Sequence, residues 1–294
     1  MAGTPPAEFE IDENLLRRLL SEQQPDLAEL PLALCDVGWD NSLFRLGDEL
    51  LLRLPRRKLG AEVLAHEQRL LPQLGRDLPL PTPIPLRVGV PGGGYPWPWS
   101  VIPWLPGTTA NLDPPASAET AVWARFLRAL HQPAPDNAPR NPFRGVPLTE
   151  RAEVVQLKLD RLRERTSAIS SEVEAAWRRG LETPPTTRRV WLHGDLHARN
   201  VLTLDGRFSG VIDWGDVTAG DSAVDLASIW MLFANPSDRE TILTAYHADE
   251  GERRRALAWA VVFGVLLLDS GLVDHPAHAR MGEVTLARVT ADLR

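Results

Sequence analysis

The sequence predicts an α+β protein in two parts: a β-rich N-terminal part holding one helix, and a mostly helical C-terminal part. Three observations predict it. Short apolar runs punctuated by turn residues fill most of the first third of the chain. A Pro106-Gly107 break ends them. Beyond it apolar residues recur at helical spacing, and only a small group of strand-like runs near residue 200 interrupts them.

The elements follow in order. Leu15, Leu16, Leu19 and Leu20 share one face of an opening helix. Strand-like runs come next at Leu32–Val37, Leu43–Leu46 and Leu50–Leu54, the last two joined by a Gly47-Asp48 turn. Val63, Leu64, Leu70, Leu71 and Leu74 predict a helix over Gly60–Gly75, stopped by the glycine. Two further strands, Ile84–Val90 and Trp99–Trp104, flank Gly92-Gly93-Gly94, with Trp99 in the core. Helices are expected over Ala116–His131, Thr149–Arg165 and Ser167–Leu181. The proline-rich stretch Pro133–Pro147 between the first two is irregular, since proline removes donors and blocks helix. Strands Val190–His193, Val201–Leu204 and Phe208–Ile212 form a small central sheet, the last two joined by an Asp205-Gly206 turn. From Asp221 onward the chain is helical. The division read from this pattern is residues 1–102, a link at 103–108, and residues 109–294.

Composition narrows the function. Of 294 residues, 44% are hydrophobic and 24% charged, an ordinary globular balance. A net charge of -7 excludes a basic nucleic-acid footprint and suits a cationic small-molecule partner. Cys35 is the single cysteine, and residues 1–14 have no basic signal-peptide start. The apolar run Ala256–Leu268 is shorter than a membrane span and reads as a buried helix. A cytoplasmic protein with no membrane partner is expected.

The chemistry concentrates in His193-Gly194-Asp195-Leu196-His197-Ala198-Arg199-Asn200 and in Ile212-Asp213-Trp214-Gly215. An apolar strand enters a polar loop carrying Asp195 and Asn200, and the next hairpin ends at Asp213. Phosphoryl transfer asks for this set. One carboxylate orients the attacking hydroxyl. A second carboxylate and an amide oxygen hold hard magnesium ions, which neutralise charge on the β- and γ-phosphates. The spacing Asp-x-x-x-x-Asn followed by Asp-x-Gly is that of protein-kinase catalytic and metal loops.

With Gly220-Asp221-x-x-x-Asp225-Leu226-Ala227 added, these motifs resemble the aminoglycoside phosphotransferase family, small-molecule kinases related to choline and macrolide kinases, with a protein-kinase-like two-lobe fold. The resemblance implies Asp195 as catalytic base, Asn200 and Asp213 as Mg2+ ligands, and Asp225 as the buried acid bracing the catalytic loop. It implies ATP or GTP as donor and a hydroxylated acceptor, an aminoglycoside, a macrolide or a related metabolite. In the N-terminal part, Gly38–Gly47, with Asn41 and Ser42, resembles the hairpin that covers the phosphates. Arg53 stands where kinases carry a strand lysine, and Glu67 is its implied partner. Trp99–Gly107 resembles the interlobe hinge, where the Pro103 carbonyl and the Leu105 N–H would hold a purine. Asp216 and Asp221 are candidate acids facing the acceptor.

Two other readings are open from the residues. His193, Asp195 and His197 could bind zinc in a hydrolase. A kinase-like binding module that has lost activity is the other, although Asp195, Asn200 and Asp213 are all present. His193 is expected to bond backbone, His197 to face the γ-phosphate or the substrate, and Arg199 to be solvated. His275 and His278 are expected to start a solvated helix.

Overall fold

The Asp12 side chain accepts from the Leu15 N–H (2.7 Å) and starts helix α1 (Glu13–Gln23), whose four leucines are all buried. The structure, a computed structural model, describes residues 6–294, with only the backbone of Asp274. The described chain forms two units. One holds residues 6–77 and Pro81–Leu105, the other Leu78–Leu80 and Pro106–Arg294.

In the N-terminal unit, β1 (Leu32–Val37), β2 (Asn41–Leu46), β3 (Leu50–Pro55), β4 (Arg87–Gly89) and β5 (Trp99–Pro103) form an antiparallel sheet in the order β1-β2-β3-β5-β4. The leucines of α1 pack with Phe44, Leu46, Leu52, Leu54, Trp99 and Val101. Alternation along β3 turns Arg53 to the opposite face from Leu52 and Leu54, where it meets α2 (Lys58–Leu74). That helix ends at Gly75, as expected, but Gly75 stays right-handed and the chain continues into a 3-10 turn, Gly75–Asp77. The strand expected over Ile84–Val90 is shorter, because Pro83 and Pro85 cannot donate to a ladder.

In the C-terminal unit the order is β6 (Thr108–Thr109), α3 (Thr120–Leu130), α4 (Ala152–Arg163), α5 (Ser171–Glu182), β7 (Val190–Leu192), β8 (Val201–Leu204), β9 (Arg207–Val211), β10 (Thr218–Gly220), α6 (Ala223–Leu226), α7 (Ser228–Leu232), α8 (Pro236–Tyr246), α9 (Glu250–Asp274) and α10 (Pro276–Ala291). Helices α3 and α4 begin later than expected because a 3-10 turn precedes each. The Asp205-Gly206 turn joins β8 to β9 with both residues at positive φ (53° and 71°).

One expectation is overturned. β7 does not join β8 and β9 in one central sheet. It pairs with β10, while β6, β8 and β9 form a separate sheet. β6 and β10 have two and three residues, too few to show alternation.

Helix α9 is apolar around its circumference and starts at a capping box of Asp249 and Glu252. Its 25 residues exceed the Ala256–Leu268 run, and it is long and apolar enough to cross a membrane. Yet 72% of its apolar window is buried inside the unit, as in a core helix. α10 packs against it at glycines. A Cβ on Gly282 would lie 2.5 Å from Leu268 N and 2.6 Å from Gly264 O. Replacing Gly282 by Ala gains about 1 kcal/mol of helix propensity and loses up to about 3 kcal/mol to overpacking. Gly282→Ala is therefore expected to be destabilised by about 2 kcal/mol, read as a lower denaturant midpoint. An unchanged midpoint would show that the two helices can move apart.

Candidate active site

β7 delivers the chain into the loop His193–Asn200, and one buried carboxylate holds the entry. Asp225 Oδ2 accepts from the His193 N–H (2.7 Å) and Oδ1 from the Gly194 N–H (2.9 Å). His131 Nε2 lies 3.3 Å from Asp225 Oδ2, and its Nδ1 lies 2.8 Å from the Tyr246 hydroxyl. Gly194 has φ 86°, and a Cβ there would lie 2.6 Å from the Asp216 carbonyl, so glycine is required.

The loop turns Asp195 and Asn200 toward each other. Asn200 Nδ2 donates to the Asp195 carbonyl (2.9 Å) and approaches its Oδ2 (3.3 Å). Asn200 O accepts from the Ile212 N–H (2.9 Å), which ties the loop to the residue before Asp213. Asp213 is exposed and left-handed (φ 61°, ψ 66°), a conformation in which aspartate is several-fold enriched. Trp214 behind it is fully buried and donates from Nε1 to the Val211 carbonyl (2.9 Å). The three residues singled out for chemistry thus belong to one hydrogen-bonded assembly.

Both ring nitrogens of His193 engage backbone. Nε2 lies 3.0 Å from the Ile212 carbonyl, and Nδ1 accepts from the Asp195 N–H (3.2 Å). A ring bonded this way has no lone pair for zinc, which disfavours the hydrolase reading. His197 turns to Asp195 (Nε2 to Oδ2, 3.4 Å), while its Nδ1 accepts from the Arg199 N–H (3.2 Å).

Two contacts were invisible in the sequence. Arg144, in the irregular stretch, donates from Nη2 to Asp195 Oδ1 (2.9 Å) and lies over the Phe263 ring. Asn141 donates from Nδ2 to Asp216 Oδ1 (2.7 Å). No spacing rule reaches across the 51 residues separating Arg144 from Asp195; the Asn141-Pro142 turn signal locates the bend without its target. Electrostatics follow from these neighbours. Burial pushes the Asp195 carboxyl up, but His197, Arg144 and His193 outweigh it and hold the group below its ordinary value. Burial and then the Asp195 charge push Asp216 up, with Asp213 adding to them against Arg144 and Asn141.

Three expectations change. Arg199 is not solvated: its Nη1 contacts His275 Nε2 (3.1 Å) and His278 Nε2 (2.9 Å). The two histidines do open a helix, α10, with His275 capping the His278 N–H, but they stack on each other 3.8 Å apart and face Arg199 instead of solvent. Asp221 does not stand as a free acid toward an acceptor: it is buried, accepts from Arg255 Nε (2.6 Å), and caps the Ala223 N–H.

In the N-terminal unit, Arg53 Nη1 donates to both Glu67 oxygens (2.7 Å each), with both side chains buried. With its amide oriented to satisfy both ends, Asn41 accepts from Arg53 Nη2 (3.2 Å) and Nε (3.3 Å). Asn41 and Ser42 begin β2; the turn before it is Gly38–Asp40, tied to the start of α2 by Arg56 and Arg57. Pro103 ends β5, Trp104 packs under the Arg45 guanidinium, and Leu105 is half-buried.

A family model described as the phosphotransferase enzyme family matches residues 32–259. The viomycin phosphotransferase of Streptomyces vinaceus is 35% identical over 125 residues, 41% of each chain, so the match spans about two fifths of that relative. The GDP complex of wild-type aminoglycoside 2'-phosphotransferase-IIIa superposes with a TM-score of 0.65 at 17% identity, over 96% of this chain and 100% of that one. The macrolide 2'-phosphotransferase MphH from Brachybacterium faecium, solved as apoenzyme, does so with 0.59 at 20% identity, over 93% and 97%. At these identities the two structures share the fold, the α+β arrangement of a β-rich and a helical part.

Two outcomes follow. Glu67→Ala leaves the Arg53 charge buried without that carboxylate and is expected to destabilise the protein by about 3–5 kcal/mol; a denaturant midpoint within error of wild type would show the pair to be solvated. Burial, followed by His275, Arg199 and His197, pushes His278 down to about 4, from an ordinary value of 6.5. Its folded-state value is depressed, so the unfolded state binds the extra proton between those values. Stability is therefore lost as pH falls from about 6.5 toward 4. His278→Gln is expected to flatten that part of the pH–melting curve; parallel curves for the two proteins would refute the buried neutral imidazole.

Proposed function

Because the chain belongs to the phosphotransferase enzyme family, its motif match covering residues 32–259, we propose that it transfers the terminal phosphoryl group of a purine nucleoside triphosphate to a hydroxyl of a small acceptor. The acceptor class is a hydroxylated antibiotic, an aminoglycoside or macrolide, or a related metabolite, in keeping with the names of its relatives. The donor is ATP or GTP; the aminoglycoside relative was solved with GDP.

The observation that carries the reading is the bonding of Asp195 to Asn200, and of Asn200 to the residue before Asp213. Asp195 accepts the proton of the acceptor hydroxyl, or orients it, and releases it after transfer. Its carboxylate stays ionised for that task beside Arg144 and His197.

The donor set suits magnesium. Nδ2 of Asn200 is spent on Asp195, which leaves Oδ1 to coordinate, and the Asp213 carboxylate is exposed. Two hard oxygen ligands from the protein match an ion that keeps waters and takes phosphate oxygens. When bound, magnesium supplies neutralisation of the phosphate charge.

The remaining roles follow. Asp225 fixes the loop so that Asp195 points one way. Asp216, held by Asn141, is the acid available to contact the acceptor. Arg53, oriented by Glu67 and Asn41, is the phosphate contact of the N-terminal unit. The backbone at Pro103 and Leu105 is the purine contact.

A screen coupling nucleotide consumption to a panel of aminoglycosides, macrolides and hydroxylated metabolites identifies the acceptor. With that acceptor, Asp195→Asn keeps the shape of the side chain and removes its charge. It is expected to bind magnesium-nucleotide normally and to lose turnover by about 10²-fold or more. Asp213→Ala is expected to weaken nucleotide binding in the presence of magnesium and turnover together. Full turnover in Asp195→Asn would overturn the assignment of the base.

A further inference from the structure

A cavity of about 540 Å³ lies in the C-terminal unit between the Arg140–Pro147 segment and the loop leading into β7. That volume suits a small molecule. Arg140, Arg144, Arg188 and Arg189 line it, against the acids Glu150 and Asp221. Asp221 is already committed to Arg255 (2.6 Å), and Arg144 shares its charge with Asp195. Arg140, Arg188 and Arg189 have no ion-pair partner among the described residues. The wall is therefore net positive in a protein of net charge -7.

Two arginine donors lie behind this wall. Arg189 Nη2 and Arg144 Nε are inaccessible to solvent, and neither has a hydrogen-bond partner. A donor on a charged group left unsatisfied in the interior is costly, because it has surrendered water without replacement. Nearby Arg151 feels the same field: burial, and then the Arg144 charge, push its guanidinium down from its ordinary value.

The walls are set before any ligand arrives. The Ala134 N–H donates to the Arg189 carbonyl (3.1 Å), and Pro133 bridges to Val190. On the other side, the Ala219 N–H donates to the Pro139 carbonyl (3.2 Å) and the Asn141 N–H to Thr218 Oγ1 (2.9 Å). Guanidinium groups carried on backbone held in this way around a small cavity match oxyanions, which they take in a bidentate manner.

We propose that this cavity is a binding site for a small organic oxyanion, a carboxylate or a phosphate ester, held by Arg140, Arg188 and Arg189. The cavity borders the Asp195 neighbourhood through Arg144 and Asn141, and the anion site does not depend on the phosphotransfer reading.

The test is calorimetric titration of the full chain with citrate and, separately, with inorganic phosphate, at constant ionic strength set by chloride. Saturable binding near one per chain is expected for at least one anion. Citrate alone would identify a polycarboxylate site, and phosphate alone a phosphate site. Arg188→Ala and Arg140→Ala, both at exposed side chains that the fold can spare, are expected to weaken that binding by at least about 10-fold. Nucleotide affinity should stay unchanged in both variants. Absence of saturable binding by either anion overturns the proposal. So does binding that the two substitutions leave untouched, since the anion would then sit elsewhere, as at the nucleotide phosphates.

Discussion

Just past the end of β7 the backbone turns so that two consecutive N–H groups, of His193 and Gly194, point at the Asp225 carboxylate. That carboxylate is fully buried, and an ion in such a place survives only when its lone pairs are taken. His131 and Tyr246 complete the set from α3 and α8. The loop geometry depends on this anchor. With His193 and Gly194 fixed, the His193 ring reaches the Ile212 carbonyl, and Asn200 meets Asp195. The anchor comes from the helix after β10, so the site forms only once the chain has returned from its second small sheet.

Within each unit, acids and bases are paired. Asp221 is held by Arg255, Asp269 by Lys158 and Arg161, Asp292 by Arg239, and Glu67 by Arg53. Each of these pairs neutralises a charge that low-dielectric surroundings would otherwise penalise. What remains near Asp195 is mixed: Asp213 and Asp216 on one hand, Arg144, His197 and Arg199 on the other.

Much of this was legible in the sequence, for reasons that are local. The leucines of α1, the Gly47 and Asp205-Gly206 turns and the stop of α2 at Gly75 all follow from short-range rules. So did the grouping of Asp195 with Asn200, five residues apart in one loop. The illegible part is long-range or too short to show a pattern. Arg144, His275 and His278 reach the loop from 51 and 76 to 79 residues away in the chain. β6 and β10 carry too few residues for a period, and without them three strands looked like one sheet. The Arg53 side chain was found in its expected company with Glu67, yet its burial, and hence its contribution to stability, could not be read from spacing.

The glycines between α9 and α10 have a mechanical consequence. Gly271 and Gly282 bring two backbones close together, without the cushion of rotatable side chains that usually separates helices, while Gly264 makes room for the Leu286 side chain. Side-chain interfaces can slide by swapping rotamers; a seam of main chain against main chain has no rotamers to swap. The two helices therefore behave as one stiff strut.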